Sequence, residues 1–440
     1  MQSYASRRRL VSEAIDGGVA VLPAARTILR NNDTEFEFRQ DSDFFYLTGF
    51  GEPDAILVLA PHHPTERSVL FLRPRDRALE TWTGKRLGVE AAPTSLGFDA
   101  AYDIAEFSQR LPDFLTGATT LYYRMGLDET NDRRILGALN EARHRVRRGG
   151  NAPRAIEEPG KIVHEMRLFK QPDEIERMRR AGSITRAGHI AAMRATRPGI
   201  HEFDLEAILE YTYRTNGAQD IAYPSIVAGG DNATILHYNT NREMLHDGDL
   251  VLIDSGSEFD LYASDVTRTW PVNGRFTAEQ RAIYEIVLAA QKAGIEQVRP
   301  GNSYRAYHER AVDTIVDGLI DIGLLRGSRA EAIESKKYLD FYMHNTGHWI
   351  GLDVHDVGQY RESDGTTYRK LQAGMAMTVE PGLYVARDLD VDERWKGIGV
   401  RIEDDILCTP DGNENLTAGI PKEIDELESL VGADAAVVAR

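Results

Sequence analysis

Cysteine is nearly absent from this chain, since Cys408 is the one cysteine in 440 residues. An intrachain disulfide is therefore excluded, which agrees with a reducing compartment. Long apolar runs are also missing, and none approaches the roughly 20 residues of a membrane-spanning helix. We therefore expect a cytoplasmic protein that does not interact with a membrane.

The chain also lacks an excess of basic residues. Its formal net charge is −17 and its sequence pI is about 5.2. This balance argues against a nucleic-acid partner, because phosphate binding needs a basic surface. The basic run at residues 7–9 resembles the start of an export signal, but Glu13 and Asp16 follow it and no apolar segment does. We expect this run to be a solvated face of a helix.

Two catalytic motifs are missing as well. The sequence contains neither the G-x-S-x-G motif of a nucleophile elbow nor the G-x-x-x-x-G-K-[ST] motif of a phosphate-binding loop. Cys408 follows an apolar strand-like run with no histidine nearby in sequence, so we expect a buried and unreactive thiol rather than a nucleophile.

The length of the chain indicates two domains. Residues 1–170 alternate strand-like and helical segments, which predicts an α/β domain. A turn-rich linker, GGNAPRAIEEPGK, follows, and residues 171–440 form the predicted second domain. The predicted strands of the first domain are GGVAVLPA, DFFYLTGF, AILVLAPHH, SVLFLRP and TTLYYRMG, and its predicted helix is NDRRILGALNEARHRVRR.

The second domain mixes helices with strands that we expect to be antiparallel. Its first helix begins at Pro172, with Asp173 and Glu174 in the first turn, which is a standard helix start. Three further helices are predicted in HEFDLEAILEYTYRTNG, TAEQRAIYEIVLAAQKAGIEQV and SYRAYHERAVDTIVDGLIDIG. The predicted strands are GDLVLIDSGSEFD, LYASDVTRTWPV, MAMTVEPGLYV and IGVRIEDDILCT.

Each of these strand segments carries an acid in an apolar setting. The acids are Asp254, Asp265, Glu380 and Glu403. Carboxylates are rarely buried unless they are paired or bound to a metal, so four of them indicate a bound cation. Asp404 and Asp405, next to the last of these acids, are expected to be solvated or to lie at the strand end.

Three of the twelve histidines fall within residues 344–355. One buried histidine is usually a packing residue, but three together with four acids indicate a functional site. The neighbouring glycines leave room for another group to approach the backbone. The histidines are His344, His348 and His355, and the glycines are Gly347, Gly351 and Gly358.

The charges favour two metal ions. Asp254 and Asp265 lie eleven residues apart in sequence across a turn, so antiparallel strands could set them side by side. Four carboxylates and one neutral imidazole carry a charge of −4, which two divalent cations would balance. Oxygen-rich ligands with a single histidine favour Mn²⁺ or a similar ion.

In this order, LIDSG, ASDVTRTWPVNG, HNTGHWIGLDVHD, TVEPGLY and GVRIEDD resemble the metallopeptidase family of aminopeptidase P, prolidase and methionine aminopeptidase. FRQDSDFFYLTGFGEPDAILVL and ETWTGKRLG resemble the N-terminal domain of bacterial aminopeptidase P. The resemblance implies an α/β (α+β) fold, in which an N-terminal α/β domain precedes a pita-bread catalytic domain with a mainly antiparallel curved sheet.

The resemblance also implies roles for individual residues. Asp254 would bind one metal ion, Asp265 and Glu403 would bridge both, and His348 and Glu380 would bind the other. Glu380 would also relay a proton to the leaving prolyl nitrogen. His237 would contact the substrate and shuttle protons, His355 would stabilise the tetrahedral intermediate, and His344 would line the proline pocket. Asn345 departs from the family motif, in which a small residue is usual.

Three further residues have two interpretations each. Arg401, two residues before Glu403, either orients a carboxylate or contacts substrate, or is an ordinary ion-pair partner. Tyr384 either lines the pocket or packs in the core. The resemblance assigns Trp82 to a neighbouring subunit's active site, whereas the sequence alone favours a core tryptophan.

The implied function is release of the N-terminal residue from peptides with proline in the second position, by a hydroxide that bridges two metal ions. A homodimer or homotetramer is implied as well. The alternatives are prolidase, which shares the five ligands and cleaves dipeptides, and a non-catalytic binding module of the same fold. The first domain favours aminopeptidase P over prolidase, and the complete ligand set argues against a binding module.

Overall fold

The computed structural model describes residues 2–434. The chain divides into two compact units, residues 1–167 and residues 168–440. Among the helices of residues 2–434, none combines the length and apolar composition of a membrane-spanning segment.

A mixed sheet forms the centre of the first unit, and the described residues give it six strands in the order β6-β5-β4-β1-β7-β8. The β1–β4 and β4–β5 pairs are antiparallel, and the remaining pairs are parallel. The elements are α1 (Gln2–Ala14), β1 (Val19–Pro23), β2 (Leu29–Asn31), β3 (Thr34–Glu35), α2 (Ser42–Thr48), β4 (Ile56–Leu59), β5 (Ser68–Leu72), α3 (Arg77–Thr83), α4 (Ala92–Leu96), β6 (Ala100–Asp103), α5 (Phe107–Leu115), β7 (Thr120–Tyr122), α6 (Glu129–Arg145), β8 (Ala155–Glu157) and α7 (Gly160–Leu168).

Two predictions for this unit are wrong in part. The segment DFFYLTGF is helical in α2 rather than extended, because the Asp41 side chain accepts a hydrogen bond from the Phe44 amide and Gly49 ends the helix in the left-handed conformation. Its aromatic residues lie on several sides of the helix, so the sequence lacks helical spacing and resembles a strand. The predicted linker also contributes β8, which pairs with β7.

The basic run near the N-terminus is not a solvated face. Arg7 and Arg8 are buried, and only Arg9 stays exposed, beside Glu13. The Arg8 guanidinium donates to the Leu47 carbonyl oxygen at 2.9 Å. Burial lowers the pKa of Arg8 to about 10. These arginines stabilise the backbone of the first unit, which the local sequence pattern could not reveal.

The second unit combines long helices with short antiparallel strands, as predicted. Helices α8 to α11 pack on the strands around a large apolar core. The elements are α8 (Pro172–Ala195), α9 (Glu202–Thr215), β9 (Asp220–Ile221), β10 (Ile226–Gly229), β11 (Leu250–Asp254), β12 (Ser257–Phe259), β13 (Tyr262–Ala263), β14 (Thr267–Pro271), α10 (Ala278–Ile295), α11 (Ala306–Asp321), α12 (Arg329–Glu334), β15 (Ala376–Val379), β16 (Gly382–Val385), β17 (Ile398–Arg401), β18 (Asp404–Thr409), β19 (Gly412–Asn415) and α13 (Ile424–Leu430).

Candidate metal centre and its cavity

The four strand acids converge because each lies at or beside the end of a strand. Asp254 is the last residue of β11, and Asp265 precedes β14. Glu380 follows β15, and Glu403 lies between β17 and β18. The side chains therefore meet where the strand ladders stop and backbone hydrogen bonding gives way to side-chain contacts.

Asp254 and Asp265 come together by a different route from the one predicted. The cross-strand partner of Asp254 is Thr267, two residues after Asp265. The intervening segment forms β12 and β13, which belong to another small sheet. The two carboxylates nevertheless both accept a hydrogen bond from the Tyr223 hydroxyl, which lies 2.6 Å from Oδ1 of Asp254.

His348 completes the cluster. Its Nε2 atom lies 3.5 Å from Oδ2 of Asp265 and 3.5 Å from Oε1 of Glu380. Potential ligand atoms of Asp265, His348 and Glu403 all lie within 4.8 Å of one another. The Nδ1 atom of His348 donates to the Trp349 carbonyl oxygen at 3.0 Å, so Nε2 faces the carboxylates.

The carboxyl groups are crowded enough to resist ionisation. Burial and neighbouring carboxylates raise the pKa of Asp254 and hold that of Glu403 well above its usual range. Burial raises the pKa of Glu380 to about 7 despite the nearby His348. Burial opposes the ionisation of Asp265, but the hydrogen bond and charge of His348 hold its pKa below the ordinary value. The neighbouring acids raise the pKa of His348 to about 9, although burial alone would lower it.

This donor set fits divalent cations. Buried like charges at such short range are costly unless cations compensate them. Four carboxylates and one imidazole match the ligands of Mn²⁺ and similar ions. A bound cation would stabilise the ionised acids and the neutral imidazole together.

Hydroxyl groups orient the acids. The Thr267 hydroxyl donates to Oε2 of Glu403 at 2.7 Å, and the Thr378 hydroxyl lies 3.3 Å from Oε1 of Glu380. The carboxylate of Asp405 accepts from the Asp265 amide at 3.1 Å. Such contacts fix the direction in which a ligand presents its oxygen atoms.

Arg401 links this cluster to His344. Its Nη2 atom donates to Oδ2 of Asp254 at 2.6 Å, and its Nη1 atom donates to the Tyr384 hydroxyl at 3.0 Å. The hydroxyl then donates to Nε2 of His344 at 2.9 Å, so the ring proton resides on Nδ1, which contacts the Asn345 carbonyl oxygen. The interpretation of Arg401 as a carboxylate-orienting residue agrees with these contacts.

A second buried ion pair holds the segment that carries His355. The Lys170 ammonium donates to Oδ2 of Asp356 at 3.0 Å, and both side chains are almost completely buried. The His355 ring lies beside that of His348, with 4.2 Å between their centroids. The pair therefore fixes the backbone next to a predicted catalytic residue.

A cavity of about 920 Å³ opens over the acid cluster. His237, His344 and His355 line it, together with Asn345 and Arg401. Its far wall comes from the start of α11 and from the segment after His355, and is rich in tyrosine and arginine. The cavity is large enough for a short peptide.

The expectation for Asp404 and Asp405 is right about the strand end, since β18 begins at Asp404, but wrong about solvation. Asp404 and Asp405 are buried, not solvated. Asp404 points to the face opposite Glu403, where Arg268 and Lys422 bind it at 2.7 Å and 2.6 Å. Their charges hold the pKa of Asp404 below its usual range against the effect of burial.

Close packing requires the glycines near His348, and Gly347 also lines the cavity. A Cβ atom at Gly347 would lie 2.1 Å from the Thr378 carbonyl oxygen, and one at Gly351 would lie 2.2 Å from a carboxylate oxygen of Asp356. At Gly358 a side chain would meet Trp349 at 3.2 Å. These glycines serve close packing within the protein.

Trp82 belongs to α3 of the first unit and is 86% exposed. The interpretation of Trp82 as a core residue is therefore wrong. Cys408 is fully buried, as expected, and burial raises the pKa of its thiol to about 11.

Sequence reasoning missed Tyr223 and His308. Tyr223 contacts two predicted ligands, and His308 lines the cavity. Neither residue lies in a motif that signals this position. By contrast, Thr267 and Thr378 stand two residues from a predicted ligand, a spacing that places neighbours on the same face of a strand and could have identified them.

Comparison with known proteins identifies the family to which both parts of the chain are similar. Residues 176–410 match the model of metallopeptidase family M24, and residues 4–122 match that of the aminopeptidase P N-terminal domain. The chain is 44% identical to the Xaa-Pro aminopeptidase of Escherichia coli over 98% of both chains, and 48% identical to that of Haemophilus influenzae over 91% of this chain and 90% of the relative. The solved structure of Pseudomonas aeruginosa aminopeptidase PepP superposes with a TM-score of 0.96 at 46% identity, covering 99% of this chain and 98% of that one.

Proposed function

Since the chain belongs to metallopeptidase family M24 and has an aminopeptidase P N-terminal domain, we propose that it is a metal-dependent Xaa-Pro aminopeptidase. It releases the N-terminal residue from peptides with proline in the second position. The observation that carries this conclusion is the similarity to Xaa-Pro aminopeptidases over nearly the whole of both chains. Its second unit has the pita-bread fold, and prolidase and a binding module are not favoured.

The metal site proposed here has five ligands. They are Asp254, Asp265, His348, Glu380 and Glu403, and they would hold two divalent ions, with Mn²⁺ as the expected metal. Crowding of the carboxyl groups supports this assignment. The pKa values of Asp254, Glu380 and Glu403 are raised, which means that their ionised forms are unfavourable until cations compensate the negative charge. When bound, the ions would lower the pKa of a water molecule and polarise the scissile carbonyl group.

Glu380 is the proposed proton carrier. Its carboxyl group lines the cavity, where Oε2 lies 4.0 Å from Nδ1 of His344, so it borders the space that a substrate would occupy. The Thr378 hydroxyl lies 3.3 Å from Oε1, and the Glu380 amide donates to the Thr346 carbonyl oxygen at 2.8 Å. These contacts fix the carboxyl group while it delivers a proton to the leaving prolyl nitrogen.

Three histidines are proposed to handle the substrate. His237 and His355 are exposed on the cavity wall, where each can donate to a peptide carbonyl oxygen. His355 would stabilise the developing oxyanion. His344 is half-buried and its Nε2 atom is occupied by Tyr384, so its ring contributes an apolar wall suited to proline.

Other assignments extend beyond the catalytic unit. Arg401 is proposed to line the proline pocket and to orient Asp254. Tyr384 is 1% exposed and packs in an apolar cluster, so its proposed role is to hold Arg401 and His344 through its hydroxyl. We propose a homodimer or homotetramer in which Trp82 contacts a neighbouring subunit's site, which its exposure supports. A cytoplasmic location is also proposed, since the single buried cysteine suits a reducing compartment.

The test compares an Xaa-Pro dipeptide with an Xaa-Pro-Xaa tripeptide, using Mn²⁺-loaded protein. We expect faster cleavage of the tripeptide at the Xaa-Pro bond. Glu380→Ala should abolish cleavage, whereas Glu393→Ala, at a side chain that is 75% exposed, should leave it unchanged. Cleavage of the dipeptide alone would favour prolidase. Cleavage of neither peptide with bound metal present would favour a binding module.

A further inference from the structure

Arg305 and His308 line the cavity without a role in the proposed reaction. Arg305 immediately precedes α11, and His308 lies in its first turn. Residues three apart at a helix start face the same side. Together they form part of the wall of the cavity that opens over the acid cluster.

Hydrogen bonds fix the orientation of His308. Its Nδ1 atom lies 2.8 Å from the Thr346 hydroxyl oxygen, which lies 2.5 Å from the Tyr342 hydroxyl oxygen. The protons of both hydroxyl groups have acceptors if the phenol donates to the threonine and the threonine donates to Nδ1. The second ring nitrogen, Nε2, then carries a proton and is a hydrogen-bond donor available to the cavity.

His308 acts as a neutral donor rather than as a cation. Burial, together with the nearby charge of Arg305, lowers its pKa to about 4. A neutral imidazole N–H suits a carbonyl oxygen of a peptide main chain, because it pairs with that oxygen without bringing a charge into the cavity.

Arg305 supplies the cation. Its Nε atom lies 3.9 Å from Glu309 in a loose pair at the helix surface, and its guanidinium group lies 5.8 Å from the centre of the Tyr368 ring. A half-buried guanidinium group that faces a cavity binds a carboxylate by charge-assisted hydrogen bonds.

The position of His308 shows which part of a peptide it would meet. The His344 Nδ1 atom lies 4.0 Å from Oε2 of Glu380, next to the proposed reaction centre. The Tyr342 ring packs against His344 at 4.9 Å and against His308 at 6.1 Å between centroids. Ring contacts therefore run from His344 through Tyr342 to His308, so His308 lies beside the proposed proline pocket.

We propose that Arg305 and His308 form a subsite for the peptide that follows proline. The His308 N–H binds a main-chain carbonyl oxygen, and Arg305 binds the free carboxylate of a tripeptide. This inference rests on the proposed function and deepens it, because it explains how a substrate longer than a dipeptide gains affinity.

The experiment measures kcat and KM for an Xaa-Pro-Xaa tripeptide and for its C-terminal amide. For Arg305→Ala we expect KM of the free acid to rise about tenfold, the loss typical of one charge-assisted hydrogen bond, with the amide changing less than twofold. For His308→Phe we expect KM to rise about fivefold for both substrates, and His308→Gln should recover part of the loss. In all of these variants kcat should stay within about threefold.

Arg310→Ala is the matched control, since this exposed arginine belongs to the same helix and is not part of the cavity wall. It should behave as the parent enzyme. The subsite would be overturned if Arg305→Ala raised KM equally for the free acid and the amide. It would also be overturned if the parent enzyme were active and neither Arg305→Ala nor His308→Phe changed KM. A parent enzyme that cleaves neither substrate would instead overturn the proposed function and the subsite together.

Discussion

One guanidinium group joins Asp254 to Tyr384. Arg401 donates to Oδ2 of Asp254 at 2.6 Å and to the Tyr384 hydroxyl at 3.0 Å, and its side chain is 4% exposed. A proposed metal ligand and the proposed proline pocket therefore share a single rigid connection, and a change at Arg401 should affect both.

We expect Arg401→Met to lower kcat/KM about 100-fold. Loss of one partner from a buried ion pair costs roughly 3 kcal/mol, which corresponds to that factor. The metal content of the purified variant and its steady-state kinetics check the prediction. Arg387→Ala, at a side chain that is 61% exposed, is the control. A kcat/KM within threefold of the parent value would contradict the role of Arg401.

Tyr223→Phe should weaken metal binding about 10- to 100-fold, the usual effect of losing a group that orients a metal ligand. The phenol joins Asp254 and Asp265, and without it both carboxylates lose a common donor. Titration calorimetry with Mn²⁺ on chelator-treated protein measures the change. Tyr211→Phe, at a 72% exposed position, should bind like the parent. An unchanged affinity in Tyr223→Phe would show that the phenol does not orient the ligands.

Chelator-treated protein should lose stability as the pH rises from about 6.5 to about 9. Below pH 6.5, His189 and His308 act in the opposite sense, because burial lowers the pKa of each to about 4. The folded-state pKa of Glu380 is raised to about 7 from 4.5, so the folded chain binds a proton that the unfolded chain releases. The raised pKa of His348 gives stability that is complete below pH 6.5 and is lost as the pH rises through about 9. Asp265 acts in the opposite sense, but its effect lies below its ordinary pKa of 3.8.

Thermal unfolding midpoints across this pH range test the expectation. The Glu380→Gln variant should show a shallower decline than the parent protein, because it lacks one of the groups of the acid cluster whose pKa is raised, the others being Asp254, His348 and Glu403. Mn²⁺ should raise the midpoint most at high pH, where the ligands have lost their protons. A midpoint that rises with pH in the chelator-treated parent would contradict the assignment.

Arg268→Met should destabilise the fold by about 3–5 kcal/mol, because it leaves the buried Asp404 with only one of the two cations that bind it, Lys422. The double variant Arg268→Met/Asp404→Leu should recover most of this loss. Urea denaturation gives both values, and Arg394→Ala, at a 57% exposed side chain, should change stability by less than about 0.5 kcal/mol. A double variant no more stable than the single one would argue against a charge effect.

Local sequence patterns anticipated the architecture wherever the cause was local. The helix starts at Pro172 and Thr277 and the strands that carry the acids follow from caps and apolar runs. The helix α2 was not predicted, because its own apolar residues lie on several sides. The sequence therefore lacks the apolar periodicity of an amphipathic helix. The side chains of the acid cluster were selected from the sequence because ionisable residues in apolar strands are rare.

Long-range partners were not predictable. The Tyr223 hydroxyl contacts Asp265 at a separation of 42 residues, and His308 contacts Thr346 at a separation of 38. Burial of Asp404 depends on Arg268, which lies 136 residues earlier. Alternation along a strand fixes only that Asp404 and Glu403 face opposite sides. Which groups meet them is determined by how the sheets and helices pack.

The ion pair between Lys170 and Asp356 sets a limit on where the chain can be cut. Lys170 lies at the last position of the predicted first domain, yet its ammonium group neutralises the residue next to His355. A shortened catalytic chain that begins at Gln171 would lose the buried ion pair with Asp356 and the hydrogen bond from the Lys170 amide to the Gly374 carbonyl oxygen. An excised catalytic domain that keeps both contacts must therefore include Lys170, so the boundary for protein engineering differs from the one that composition suggests.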